Sequence, residues 1–367
     1  MFRQEIVAFK TYDTTGQNSH AINNITINYS DSMPDSHKQV DSAVKVHRGH
    51  PSTLLELNDA FFLPGSDCLY HADGSRVTES LTRRGPDLGE IVGDTKPFAR
   101  LPDHYAVVDE PLLFIARQAH HWGHFLTEGV SRLWAPIVHP ALAKLKKFSL
   151  NGNANADNLH KNIVDFLHVL GIRSDDTLMH GNRPLRFKKI FVPASSFSNR
   201  GEAYTIHGEV GRSVARHYRG SGGVRSSAPV VLSRRRLKID GWRMIENQRS
   251  LEERLSREGF VIVNPEELSL EQQIHVFCDH REFVGCWGSA FNGGIFWEEP
   301  TEATTHVISD GLPNINFLMF DAILGNRANY VKVVGRAEDD PAGPAKLSFA
   351  VDVDQFMTYW SGERNDS

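Results

Sequence analysis

Residues 230–296 alternate short apolar runs with charged stretches of helical spacing, and few folds accept that pattern. Val230, Val231 and Leu232 follow Pro229 and read as a buried strand. Between Asn247 and Gly259, Leu251 and Leu255 recur one turn apart among charges, which predicts a helix ended by Gly259. Val261, Ile262 and Val263 form the next run, stopped by Pro265. Ser269 and Gln272 have capping-box spacing in front of Leu270, Ile274 and Phe277, which share a helix face. Phe283 and Val284 open a third strand, Gly285 and Gly288 break it, and a helix is expected from about Ser289. Strands alternating with helices of about 10–15 residues predict a parallel, doubly wound α/β sheet. Ligands of such sheets sit at the carboxyl ends of the strands.

The charges fit that rule. Arg234, Arg235 and Arg236 directly follow the first strand, and Arg243 lies further along the same connection. Guanidinium groups match phosphate oxygens in bidentate geometry. The Gly288–Ser289 turn offers backbone N–H groups and a helix N-terminus to the same anion. Trp287, beside that turn, is placed to stack on a base or sugar ring. The competing reading of the arginines is a solvated loop.

The chain has 367 residues, of which 40% are hydrophobic, enough for two ordinary domains each with a core. A net charge of −5 gives no support for a general nucleic-acid binder. The three cysteines, Cys68, Cys278 and Cys286, are too few and too scattered for a disulfide framework or a zinc site. A reducing, cytoplasmic setting is therefore expected. No apolar run reaches the roughly 18 residues a membrane span needs, so membrane contact is expected to be peripheral at most. Along the chain, residues 1–50 are a polar segment, 51–220 an N-terminal domain with a β-rich part, 226–340 a C-terminal αβ domain and 341–367 a tail. The Gly- and Ser-rich stretch 219–227 is the linker candidate. Asp352 and Asp354 form an Asp-x-Asp triplet, which is common by chance.

A second cluster lies at 120–128. In a helix running from 120 to 145, His120, His124 and Glu128 would share one face. Such a titratable stripe is costly to bury and suits a cleft. Three readings compete. His124 or Glu128 acts as a general base or holds a sugar; His120, His124 and Glu128 bind a metal, as in a metallohydrolase; or the histidines are structural. Asp109, beside Glu110 at a strand end, is a secondary candidate for the base.

The chain also resembles glycosyltransferase family 61. GHFLTEGVSRLW (123–134) is similar to the family's His-x-x-x-Glu helix. FLHVLGIRSDD (166–176) and FKKIFVPASS (187–196) resemble its middle section. VVLSRRR (230–236) with Arg243, Ile245 and Asn247 resembles its Ser-Arg-Arg and Arg-x-Ile-x-Asn-Glu motif, and EGFVIVNPEELSLEQQIHVF (258–277) its Gly-Phe to Glu-Gln stretch. The ordered set spans roughly residues 52 to 335.

The resemblance implies a GT-B-like enzyme of two Rossmann-like domains facing a cleft. A nucleotide sugar, with a uridine diphosphate sugar as the leading expectation, binds the C-terminal half. A glycan or polysaccharide acceptor binds the N-terminal half. Arg234, Arg235, Arg243, Asn247, Gln248, Trp287, Gly288, Ser289 and Asn292 would form the donor site. Transfer would be inverting and need no metal or other cofactor, in surface or capsular polysaccharide synthesis at the inner face of the cell membrane. Departures are visible: Gln248 stands where the motif has Glu, and Trp287-Gly288-Ser289 replaces His-Gly-Ala. Gln cannot ionise, so a non-catalytic nucleotide- or carbohydrate-binding member of the fold is the alternative.

Overall fold

The computed structural model describes residues 2–4, 9–13, 21–22, 25–29, 45–85, 87–98, 101–117, 121–150, 159–173, 177–179, 183–219, 226–237, 245–309, 314–332, 334–335 and 349–365. His120, Trp242, Arg243 and Asp310 lie outside them. The chain divides into two compact units, both mixing strands and helices: residues 9–21 with 42–218, and residues 1–8, 22–41 and 219–367.

The first unit is built on a five-stranded sheet. Its strands are β1 (Leu54–Leu57), β2 (Leu112–Arg117), β3 (Lys146–Leu150), β4 (Thr177–Met179) and β5 (Ile190–Pro193), in the order β4-β3-β2-β5-β1. All neighbours are parallel except β1, which pairs antiparallel at the edge. The central strands bury Leu112, Leu113, Phe114, Phe148, Leu150, Ile190 and Val192, as a sheet covered on both faces requires. A four-stranded sheet contributes Phe62 and Phe187 to the same core, and their rings lie 5.5 and 4.7 Å from that of Phe148. Helix α1 (Lys161–Val169) buries Ile163, Phe166 and Leu167 and is followed by Gly171 at φ 71°. Helix α2 (Ile206–Arg219) begins just past the Glu202–Tyr204 strand.

In the second unit β6 (Val230–Leu232), β7 (Val261–Val263), β8 (Glu282–Cys286), β9 (Thr304–Ile308) and β10 (Arg327–Val331) run parallel in the order β7-β6-β8-β9-β10. Chain order reverses between β6 and β8, which makes the crevice at their carboxyl ends the switch point of a doubly wound sheet. Ile25–Tyr29 extends the sheet parallel to β10, and Phe2–Gln4 pairs antiparallel outside it. The helices are α3 (Gln248–Arg257), α4 (Leu270–Asp279), α5 (Ile315–Leu324) and α6 (Val353–Asn365). The capping box of α4 forms: Ser269 Oγ accepts from Gln272 N at 3.3 Å, and the Gln272 side chain accepts from Ser269 N at 2.9 Å.

Three expectations are corrected. Residues 121–144 are not one helix but short pieces: an α-turn at Trp122–His124, a π turn at Phe125–Gly129, an α-turn at Ala135–Val138 and a 3-10 stretch at Pro140–Lys144. Gly123, Gly129, Pro136 and Pro140 explain the breaks. The helix expected from Ser289 is 3-10, Ser289–Phe296. Gly293 and Gly294 there leave no room for a Cβ beside the rings of Phe277 and Trp297, so tight packing sets its pitch. The stretch read as a tail contains α6, whose Phe356, Met357, Tyr359 and Trp360 are buried against Val231, Leu251 and Phe260. Asp352 accepts from Gln355 N at the start of α6, a capping role for a residue of the Asp-x-Asp triplet. Among the described residues no helix is long and apolar enough to cross a membrane.

Trp360 packs on Phe260 at 4.7 Å and on His306 at 5.0 Å between ring centroids. Trp360→Ala is expected to cost about 3–5 kcal/mol by the usual cavity penalty. Urea unfolding checks this; a loss below about 1 kcal/mol would mean α6 is peripheral to the core.

Candidate functional site

In the first unit the candidate pair His124 and Glu128 sits at a π turn. Val130 N donates to Phe125 O at 2.9 Å, an i to i+5 bond that widens the backbone by one residue. A Cβ on Gly129 would stand 2.6 Å from the Phe125 ring, so the turn closes only with glycine there. Glu128 projects from this turn with its side chain 15% exposed. Its Oε1 accepts from Arg84 Nε at 2.8 Å and Nη2 at 2.6 Å, and from Asn199 Nδ2. Its Oε2 lies 3.6 Å from Nδ1 of His124, whose side chain is 52% exposed. Burial opposes ionisation of Glu128, but His124 and the Arg84 guanidinium outweigh it and hold the carboxyl below its ordinary range. Glu128 is therefore held as a charged carboxylate. His124 is the more exposed of the two, with Nδ1 turned to the carboxylate.

Arg132 supports the turn from below. It is buried, and its Nε donates to Pro193 O at 3.0 Å while Nη2 donates to Glu79 O at 2.6 Å and Leu81 O at 2.9 Å. Its guanidinium lies 5.2 Å from the centre of the Phe114 ring. Burial pulls its pKa down to about 10. Asp109 takes a different place: it is 73% exposed and pairs with Lys188, while Glu110 pairs with Lys146.

In the second unit the connections after β6 and β8 meet at the switch point. Arg234 Nη1 donates to Trp287 O at 3.2 Å. A Cβ on Gly288 would stand 2.0 Å from that same nitrogen, so the guanidinium lies directly over the glycine. Gly285 allows a similarly close approach to Leu232 O, 3.0 Å from where its Cβ would be. The arginine run and the Gly288–Ser289 turn, fifty-odd residues apart in sequence, thus form one surface. Arg235 pairs with Glu252 at 3.3 Å, and Arg236 Nη1 donates to both carboxylate oxygens of Glu267 at 2.8 and 2.7 Å. Gln248 is buried; its Nε2 donates to Glu252 Oε1 at 2.9 Å and to Ser233 Oγ at 3.3 Å.

Asn247 turns away from this surface and fixes Val351, donating to its carbonyl at 2.8 Å and accepting from its N–H at 2.9 Å. Asn292 is buried in the 3-10 stretch, and Trp287 packs edge-on to Phe317 at 6.2 Å.

Four residues absent from the sequence-based set join these sites: Arg84, Asn199, Glu252 and Glu266. Glu266 follows β7; burial holds its carboxyl above the ordinary range, with the Arg236 N–H and the Arg234 charge pulling it back. For Glu252 a signal existed, an acid one turn after Gln248 on a predicted helix. For Arg84 and Asn199 there was none, because only folding brings them to Glu128. Among the described residues no group of three His, Cys, Asp or Glu is placed to hold a metal.

The family model described as Glycosyltransferase 61 matches residues 122–315, a span that holds the His124–Glu128 turn and the Arg234–Gly288 surface. No curated protein matches the chain.

Two tests follow from this geometry. Gly288→Ala is expected to displace Arg234 and weaken pyrophosphate binding about tenfold, the equivalent of one good charged contact. Calorimetric titration reads it, and unchanged affinity would show that the anion is not held there. The second test concerns His207, which is fully buried and pushed down to about 4 by burial. An imidazole normally titrates near 6.5, so the unfolded chain binds the extra proton and stability falls as pH drops from 6.5 towards 4. Over that window the wild type should lose roughly 3 kcal/mol more than His207→Gln, which cannot titrate. Urea midpoints at pH 7 and pH 4.5 check this; a constant difference would mean His207 is not held neutral.

Proposed function

Since this chain belongs to glycosyltransferase family 61, we propose that it transfers a sugar from a nucleotide-sugar donor to a glycan acceptor. The observation that carries the donor assignment is the meeting of Arg234 with the Gly288 turn at the switch point between β6 and β8. The labour divides as in a GT-B enzyme. The second unit takes the nucleoside diphosphate, with a uridine diphosphate sugar as the leading donor, and the first unit presents the acceptor.

In the proposed inverting step the acceptor hydroxyl oxygen attacks the anomeric carbon as the bond to the diphosphate oxygen breaks. The hydroxyl proton passes to His124, whose imidazolium the Glu128 carboxylate stabilises. Arg234 and the N–H groups of the Gly288–Ser289 turn offset the charge that grows on the leaving diphosphate. Charge compensation by arginine and backbone supports a metal-independent reaction. A role in surface or capsular polysaccharide synthesis is proposed from the family resemblance. A cytoplasmic setting is supported by three cysteines that are all buried as thiols.

A second reading, a binding protein without turnover, is favoured by one observation: Gln248 stands where the family motif has a carboxylate. Glu252 supplies a carboxylate 2.9 Å from it.

A thermal-shift panel with UDP, GDP, CMP, dTDP and their common sugars, with and without EDTA, tests the proposal. One nucleotide should raise the midpoint regardless of chelator, and at 100-fold excess over Kd the gain is about 2.7 kcal/mol. Arg234→Ala should abolish it. His124→Ala should leave donor affinity intact and lower kcat by about 10²–10⁴. Binding without release of the sugar would select the second reading, and no response to any nucleotide would sink the transferase and leave only a carbohydrate-binding form of the second.

A further inference from the structure

The π turn under Glu128 is an unfavourable backbone form, and such forms persist where the surroundings over-determine them. Val130 N–H is taken by Phe125 O, so the regular i to i+4 ladder is broken at Leu126 O. His207, on the first turn of α2, places Nε2 2.9 Å from that carbonyl. Its Nδ1 lies 2.9 Å from Ser196 Oγ, which is also 2.8 Å from Ser131 O.

The proton positions follow from the partners. A carbonyl only accepts, so Nε2 carries the hydrogen and neutral His207 leaves Nδ1 bare. Ser131 O accepts from both Ser196 N–H at 2.7 Å and Ser196 Oγ at 2.8 Å, and the same hydroxyl oxygen lies against Nδ1. Ser131 Oγ in turn donates to Glu128 O at 2.7 Å. One buried network therefore holds the carbonyls of Leu126, Glu128 and Ser131, on both sides of the Glu128 side chain. His207, Ser196 and Ser131 are all buried.

We propose that His207 is a positioning residue which, with Ser196, fixes the π turn so that the Glu128 carboxylate stays against His124. It deepens the assignment of His124 and Glu128 as the proton-accepting pair and rests on that reading for its catalytic consequence. It touches neither substrate nor the reacting atoms. If the turn relaxed to a regular helix by closing the Leu126 carbonyl onto its own ladder, every residue from Gly129 onward would rotate by about one residue's worth of helical turn, roughly 100°. Because Arg132 is held by the carbonyls of Pro193, Glu79 and Leu81, Glu128 would turn relative to it and leave Arg84 and Asn199, which aim its carboxylate at His124.

The test uses the full chain with His207→Leu, His207→Gln, Ser196→Ala and Glu128→Gln. Gln places an amide N–H about where Nε2 lies, so it should restore the Leu126 bond, whereas Leu fills the space without a donor. The first readout is the rate at which diethyl pyrocarbonate modifies His124 at pH 7, followed by peptide mass spectrometry, which needs no knowledge of the substrate. His207→Leu is expected to slow it several-fold, to the level of Glu128→Gln, while His207→Gln stays within twofold of wild type. Ser196→Ala, a smaller change that keeps its N–H bond to Ser131, should fall between them and serves if His207→Leu does not fold.

The second readout is turnover with the donor found in the thermal-shift panel. His207→Leu should lower kcat at least tenfold with the donor KM unchanged, and His207→Gln should recover most of it. Wild-type His124 reactivity in His207→Leu or Ser196→Ala overturns the proposal. So does an equal slowing in His207→Leu and His207→Gln. Wild-type protein without transfer activity would count against the glycosyltransferase mechanism alone, because the His124 modification rates would still decide the role of His207.

Discussion

A buried guanidinium that donates to three backbone carbonyls organises the first unit. Arg132 gives its N–H groups to carbonyls of Glu79, Leu81 and Pro193, which belong to separate segments of the chain. Burying that cation is costly, and only a full set of acceptors makes it tolerable. The same bonds set where each segment ends. Arg84 lies three residues beyond Leu81, and Asn199 lies six beyond Pro193. Both arrive at the Glu128 carboxylate, which leaves the backbone four residues before Arg132 itself. Trp134 and Ser131 reinforce the docking through Ala194 O at 2.9 Å and Ser196 N at 2.7 Å. The geometry around Glu128 is thus the far end of a network whose centre carries no reactive group.

The second unit solves a different problem, holding several cations at one sheet edge. Glycine does it by subtraction. Gly285 lets β8 lie close against Leu232, and Gly288 leaves space that the Arg234 guanidinium fills. Glu252 and Glu267 neutralise the neighbouring arginines, so the run is a graded surface and not a uniform positive patch. The buried Gln248 joins Ser233, at the end of β6, to Glu252 on α3, which fixes the start of that helix against the strand. A neutral amide suits this place, because a carboxylate there would face Glu252 directly across a hydrogen-bond distance.

Much of the αβ pattern was legible. The runs at 230–232, 261–263 and 283–284 fall in β6, β7 and β8, the capping box at Ser269 forms, and Gly259 follows a helix end with positive φ. The pairing of the arginines with the glycine turn was expected from the rule for doubly wound sheets, and the two meet in space. The pieces between 121 and 144 were not legible as such. The spacing of His124 and Glu128 is the same in an α-helix and in a π turn, and the choice rests on bonds from His207 and Ser196, more than sixty residues later in the chain. The role of α6 was hidden for a similar reason: its apolar residues find their partners on β6 and α3, over a hundred residues away.

By itself the sequence determined the local grammar: which runs are strands, where helices begin and stop, and which residue types are chemically able to hold a phosphate or take a proton. These follow from periodicity, capping and backbone freedom, which act within a few residues. The tertiary structure alone decided that the Glu128 carboxylate is held charged by Arg84 and His124, that Asn247 serves Val351, and that Glu252 stands beside Gln248. Those outcomes depend on burial and on partners distant in the chain. Desolvation and Coulomb energy are properties of where a group sits in space, and no spacing rule encodes them.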